Sequence, residues 1–429
     1  MQRDAWDVVV VGAGPAGGMA AWTAAQMGLR TLLVEEHLRI GEPIHCAGKL
    51  SVHAFREFDL PTGLARATLW AATIYAPDGR SVHLRKSAPD SYVVDRDAFD
   101  RWLVDRAVQA GAELLVGARV AAVARERGSM ILEIERYKGW MRVRTPVVID
   151  AEGARARLAA QAGLLLRRRF VRGLQYELVG VDLLDPQTAE LYLGRGWAPG
   201  FFAWLMPLDE RTARVGLCVD PASPRPPVAY LEDLLRNHPA VAPRVRRART
   251  VRRLGGWIPI CARPHPTYRP GFLVVGDAAG QVKATSGGGI YFSLAAGRLA
   301  AQAAVQSLAG GRDALQSYER AWRARFGREV RFTAWVRAAL ERLSDEELSA
   351  FLRGIADHPA LHRAIADHGD TQYQSRLFMP VLTSAVRAGI RDRMFGRTVA
   401  RTARALAEAL LKVLRSEDLL DAPGRGREE

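Results

Sequence analysis

Cysteine and lysine are both scarce in this 429-residue chain. The three cysteines, Cys46, Cys218 and Cys261, stand apart from one another. They lack the spacing of a metal site or a four-cysteine cluster and are too few for a disulfide framework, which fits a reducing cytosol. There is no uncharged apolar run of the ~18 residues that a spanning helix requires. A secretory leader is not expected either, because an apolar, strand-like run at 8–11 begins almost at the first residue. Lysine occurs five times, so the formal net charge of +15 is carried almost entirely by arginine. Basic stretches interleaved with aromatics are missing, so no nucleic-acid partner is expected. The charge reflects either arginine usage spread along the chain or a surface that meets anionic lipid.

What the chain does have is a strand running into a glycine-rich turn, Val8-Val9-Val10-Val11-Gly12-Ala13-Gly14-Pro15-Ala16-Gly17. An Ala-rich helical segment follows at 19–27, Gly28 ends it, and a second apolar strand at 31–34 stops at Glu35. Each part has a mechanical task in a βαβ unit. Gly12 permits the tight turn, Gly14 lets the backbone approach a pyrophosphate, and Gly17 lets helix and strand pack closely. The helix start offers free N–H groups and a positive dipole end to phosphates, and Glu35 stands where an acidic side chain accepts ribose hydroxyls. A glycine-rich turn alone would be weak; strand, helix, second strand and acid in order make a dinucleotide site.

Further along, Phe272-Leu273-Val274-Val275-Gly276-Asp277 is again an apolar strand ending in Gly-Asp, followed by Gly287-Gly288-Gly289-Ile290 and a small-residue helix at 291–307. This resembles the second fingerprint of the glutathione-reductase-type flavoproteins and implies FAD as the cofactor. In that family the Gly-Asp carboxylate, here Asp277, binds the ribityl chain. The glycine loop passes the pyrimidine ring, and the helix start faces the edge where the reduced ring carries negative charge. A third stretch, Val93-Val94-Asp95-Arg96-Asp97, resembles the family's arginine-bearing helix start and places Arg96 beside the cofactor; an ordinary helix capped by Asp95 or Asp97 is the alternative. The same resemblance adds Ala16 and Val120 to the cofactor contacts. Val148-Ile149-Asp150-Ala151-Glu152-Gly153 carries Glu152 where the family has aspartate, and is expected to be structural.

Two elements narrow the branch. Pro43-Ile44-His45-Cys46-Ala47-Gly48 follows the second strand, and Phe202-Ala203-Trp204-Leu205-Met206-Pro207 precedes Gly216. Together they resemble the Cys-x-Gly and aromatic-x-Trp elements of the geranylgeranyl reductases, although Phe202, Met206 and Cys218 depart from that pattern. The resemblance covers about residues 6–345. It implies Cys46, Ala47 and Gly48 against the flavin ring, and reduction of isolated C=C bonds in an isoprenoid chain of a lipid, quinone, chlorophyll precursor or diphosphate. Such an alkene has no carbonyl to polarise it. Protonation has to build tertiary cationic character that hydride from the reduced cofactor quenches, so the site needs a dry apolar tunnel, a weak proton donor and aromatic faces. Cys46 is assigned to the proton, Trp204 and Phe202 to the aromatic faces. The alternative on the same scaffold is a flavin monooxygenase or halogenase; halogenases need a reactive lysine, and Lys49 is taken as the only lysine near a motif.

The expected fold is α/β, a Rossmann-like FAD-binding domain with an inserted antiparallel β substrate domain and a C-terminal helical region. FAD-binding parts are expected at 1–68, 93–165 and 256–312, a substrate hairpin at 69–92 with strands at 69–75 and 82–85 around Pro77-Asp78-Gly79, the main substrate domain at 166–255, and helices over 313–429. With one glycine-rich dinucleotide unit, reducing equivalents are expected from outside, from NADPH, ferredoxin or another reductase. A last helix at 384–415 would set Phe395, Val399, Leu406, Leu410 and Val413 on one face and Arg393, Arg397, Arg401 and Arg404 on another. Such a basic amphipathic helix lies on an anionic membrane or packs on the body with its arginines in water. The expected location is cytoplasmic, with peripheral contact to the inner membrane face if this helix takes the first of those two positions.

Overall fold

The computed structural model describes residues 6–44, 46–164, 168–311, 313–369, 372–377, 381 and 384. The expected helix at 384–415, with its basic and apolar faces, therefore lies outside the described residues apart from residue 384.

Val8–Val11 is the middle of a six-stranded sheet. It pairs in parallel with Thr31–Val34 on one side and Val147–Asp150 on the other, with Val9 opposite both Leu32 and Val148. Glu113–Leu115 extends the sheet beyond Thr31–Val34, and Phe272–Val274 beyond Val147–Asp150. A two-residue antiparallel strand, Tyr268–Arg269, closes the far edge. All four valines of Val8–Val11 are buried. That is why the strand reads as a continuous β-branched run rather than an alternating one: a parallel sheet is covered on both faces.

Helix Pro15–Gln26 begins with proline at its first turn, where no amide hydrogen bond is lost. It packs against helix Ile290–Leu308 so closely that a Cβ on Gly297 would lie 2.3 Å from the Ala16 carbonyl oxygen. Small residues on both helices thus bring the two glycine-rich motifs side by side, although 270 residues of sequence separate them. A three-stranded antiparallel sheet, Ala118–Glu126, Ser129–Arg136 and Gly139–Thr145, covers the opposite face of the parallel sheet.

The second large element is a seven-stranded sheet in the order Arg249–Ile260, Arg169–Val179, Thr212–Val219, Ala203–Pro207, Thr188–Tyr192, Ala71–Tyr75, Ser81–Arg85. Only Thr188–Tyr192 with Ala71–Tyr75 is parallel. The hairpin expected around Pro77-Asp78-Gly79 is present, with Tyr75 opposite Ser81. Its first strand, however, starts at Ala71: Ala65–Leu69 belongs to a separate small sheet with Lys49–Ser51 and Ser91–Val94. The chain changes sheet at Trp70, whose N–H donates to the Gln187 carbonyl, so what reads as one apolar stretch is two strands. Further helices include Arg96–Gln109, Pro227–Asn237, Ala314–Leu340, Asp345–Asp357 and Pro359–His368. No helix among the described residues is long and apolar enough to cross a membrane.

Candidate active site

The strand ends and helix starts of the parallel sheet surround a cavity of about 380 Å³ lined by Gly12, Gly14, Glu35, Arg96, Val120 and Ala151, among others. Its glycines do different things. Gly12 has φ +96°, and a Cβ there would meet the Ala151 carbonyl at 2.4 Å. A Cβ on Gly17 would lie 1.7 Å from the Gly12 oxygen, so only hydrogen fits between helix and strand. Around Gly14 no protein atom stands within 4 Å of the added carbon; the backbone faces open space. Glu35 accepts the Ala13 N–H at 2.8 Å with one oxygen and the His37 N–H at 2.9 Å with the other, which fixes the carboxylate in the cavity wall. This cradle fits the adenosine diphosphate half of FAD: tight where the protein packs on itself, open where a pyrophosphate would approach the helix start.

Arg96 lines this cavity. Its guanidinium donates two hydrogen bonds to Asp100, at 3.0 and 2.7 Å, and lies beside the Cys46 sulfur. Burial alone would make Arg96 easier to deprotonate, but the Asp100 carboxylate and Cys46 outweigh it and hold it firmly charged. Asp95 precedes the helix without a side-chain capping bond, while Asp97 in its first turn accepts the Ala98 N–H at 2.9 Å. Asp277 stands on the other side, 3.1 Å from where a Cβ of Gly289 would be, and burial, opposed by Arg96 and Arg168, raises its carboxyl above the usual range.

The larger cavity, about 680 Å³, is lined at one end by Cys46, Ala47, Gln175, Phe202, Trp204 and Gly287 to Ile290. It continues between apolar side chains including Leu84, Leu191, Met206, Trp335 and Phe351. Its size is that of a ligand site rather than a packing defect. Gly287, with φ +66°, lies against Ile258 and Phe201. Phe201 stacks on Phe202 with ring centroids 4.6 Å apart, and Phe202 meets Trp204 edge-on at 6.1 Å.

Three side chains that sequence reasoning passed over hold this end together. Gln175, 3% exposed, donates from its amide nitrogen to the Cys46 carbonyl at 2.9 Å and accepts the Trp204 indole N–H at 3.2 Å. Arg214 is wholly buried and donates to the Ala47 carbonyl at 3.0 Å, the Val94 carbonyl at 3.1 Å, Glu177 at 3.2 Å and Asp95. Lys283, 3% exposed, lines the same cavity and exchanges backbone bonds with the glycine loop, to Gly288 at 3.2 Å and from Gly287 at 2.9 Å. Lys49 is therefore not the only lysine near a motif: Lys283 sits inside the second fingerprint, between Asp277 and Gly287.

The expected residues thus fall into two adjoining groups. Gly12, Gly14, Glu35, Arg96 and Val120 line the smaller cavity; Cys46, Ala47, Phe202, Trp204, Gly287, Gly288, Gly289 and Ile290 line the larger. Ala16, Gly17, Gly48, Gly276 and Asp277 line neither and pack behind them; a Cβ on Gly48, for example, would lie 2.1 Å from the Val94 oxygen. The segment expected to be purely structural does both jobs: Glu152 accepts the Leu158 N–H at 2.5 Å, and Ala151, Glu152 and Gly153 also form cavity wall.

A sheet-and-helix dinucleotide cradle joined to a roofed apolar cavity defines an FAD-dependent oxidoreductase. Residues 7–168 match the FAD dependent oxidoreductase family and residues 170–258 the geranylgeranyl reductase catalytic domain. A digeranylgeranylglycerophospholipid reductase of Methanocaldococcus jannaschii is 33% identical over 83% of this chain and 92% of its own. One of Methanopyrus kandleri is 34% identical over 82% and 90%. A geranylgeranyl bacteriochlorophyll reductase-like protein of Thermoplasma acidophilum superposes with a TM-score of 0.80 at 27% identity, covering 91% of this chain and 99% of its own. A p-nitrophenol 4-monooxygenase of Pseudomonas putida, at TM-score 0.68 and 17% identity, shares the fold. The chain belongs to the geranylgeranyl reductase family of FAD-dependent oxidoreductases.

Proposed function

We propose that this protein saturates C=C bonds in the isoprenoid chains of a lipid, the substrate class in the names of its reductase relatives. The observation that carries the reading is the larger cavity, whose mostly apolar walls share one space with Cys46, Trp204 and the Gly287 to Gly289 loop. Bound FAD supplies the hydride. The protein's own residues do the rest. The Gly287 to Gly289 backbone would offer a flat face for the ring, and Arg96, backed by the buried Asp277, would hold its polar attachment. Phe202 and Trp204 present aromatic faces to developing positive charge, and the apolar walls keep water from competing for it. Cys46 or a water beside it passes the proton.

An external reductant (NADPH, ferredoxin or a separate reductase) and a cytoplasmic position at the inner membrane face belong to the same proposal. The contact expected from the last helix concerns residues outside the described ones. The test is to incubate reduced holoenzyme with a panel of isoprenoid lipids, expecting mass gains of about two daltons per bond; no gain with any lipid overturns the proposal. The halogenase alternative gains a buried cavity lysine in Lys283, and chlorinated product formed with oxygen and chloride would favour it over the reductase.

A further inference from the structure

The strand Arg249–Ile260 forms one edge of the seven-stranded sheet, and its two ends differ in character. Leu254, Gly255, Gly256 and Ile258 line the larger cavity. Immediately before them Arg246, Arg247, Arg249, Arg252 and Arg253 are all exposed. Between Asp233 and Asp277 the sequence holds no acidic residue, and among the described residues none of these five arginines forms an ion pair. This is not the general condition of the surface. Arg119 and Arg142, on the small antiparallel sheet, are tied to Glu135 and Glu126. Two large apolar side chains stand exposed on the same edge strand, Val251 at 50% and Trp257 at 53%. The Arg172 guanidinium lies 5.4 Å from the Trp257 ring centroid.

We propose that this strand, with Arg246 and Arg247 before it, is a docking surface for an anionic lipid bilayer. Five positive charges in one short stretch match a negatively charged leaflet, and an exposed tryptophan suits the boundary between headgroups and acyl chains. Arg252 and the cavity-lining Leu254, Gly256 and Ile258 alternate onto one face of this strand, so a lipid leaving the bilayer at this edge starts beside the cavity wall. This last point rests on reading the cavity as a lipid-chain site; the docking itself does not.

The test uses full-length holoenzyme and flotation with phosphatidylcholine vesicles, with and without phosphatidylglycerol. One variant carries Arg246→Gln, Arg247→Gln, Arg249→Gln and Arg252→Gln. A control with the same charge change carries Arg125→Gln, Arg127→Gln, Arg136→Gln and Arg144→Gln, all exposed on the small sheet. The first is expected to lower partitioning onto phosphatidylglycerol vesicles by about 100-fold and to flatten its salt dependence, while the control binds as wild type. Flavin content and turnover of a detergent-dispersed isoprenoid lipid should be unchanged in both. Equal losses in the two variants would show that only net charge matters and overturn the proposal. So would unaltered binding in the first, or wild-type protein that captures RNA in preference to vesicles. If none of the three proteins reduces the dispersed lipid while the vesicle result holds, the docking surface stands and the lipid-reductase reading falls.

Discussion

The indole N–H of Trp204 donates to the side-chain oxygen of Gln175 at 3.2 Å. The other end of that amide holds the Cys46 carbonyl at 2.9 Å, so one buried glutamine sets the spacing between the cysteine loop and the aromatic strand. Gln175→Leu keeps the volume but leaves both partners unpaired. Stability should fall by about 1–3 kcal/mol, and alkene reduction should fall with FAD still bound. Thermal melts, flavin-to-protein absorbance and product mass would check this; unchanged turnover would show that the spacing is not important for the reaction.

Arg214 fastens the same loop from below and balances two carboxylates. Burial would raise the Asp95 carboxyl, but Arg66 and Arg214 hold it below its usual range. In Arg214→Met the Ala47 and Val94 carbonyls lose their donor, and Glu177 and Asp95 lose a countercharge. Removing one partner of a buried pair costs about 3–5 kcal/mol, a loss that denaturant titration of the variant should show.

The two phosphate-motif glycines should behave differently on substitution. Gly17→Ala forces a carbon to 1.7 Å from the Gly12 oxygen, so the fold itself is disrupted. Gly14→Ala meets no protein atom within 4 Å and has φ −73°. Its apoprotein should melt within about 0.5 kcal/mol of wild type, yet bind FAD at least about tenfold more weakly because the backbone is held off the pyrophosphate. Flavin titration of the stripped protein separates the two effects.

His238 should give the stability a pH dependence. It is 2% exposed, packed against Tyr192 and Trp197 at 4.7 and 4.9 Å. Burial first, and then the Arg244 charge, push it down to about 4 from 6.5. The folded state therefore favours the neutral ring. The contribution is complete above the unfolded value of 6.5 and is lost as pH falls toward 4. A loss on the order of 2 kcal/mol is expected across that window. Melting wild type and His238→Gln between about pH 7 and about pH 5 checks it: only the wild type should lose stability through this group.

Much of the cofactor cradle was legible because its chemistry is local. Gly12 to Gly17, Glu35 and Asp277 each follow an apolar strand at short range, and strand-then-turn spacing survives in one dimension. The Pro77-Asp78-Gly79 turn likewise marked the hairpin. Gln175 and Arg214 were not legible, because they reach partners 129 and 167 residues away and their own strands read as ordinary sheet. Lys283 was overlooked although it lies within a recognised fingerprint; nothing in the order of residues says that a lysine there turns inward under a glycine loop. The break at Trp70 was invisible for a related reason: a change of sheet leaves the apolar pattern intact.

The central claim is that Cys46, Trp204 and the glycine loop enclose a place where a flavin meets an isolated alkene. It is tested most directly by reducing the holoenzyme without oxygen and adding a geranylgeranyl lipid while following flavin absorbance. The account predicts that the oxidised spectrum returns with the unsaturated lipid, not with its saturated counterpart, and slowly in Cys46→Ala, which keeps its FAD. Flavin that stays reduced with every unsaturated lipid and regains colour only on admission of oxygen would contradict it.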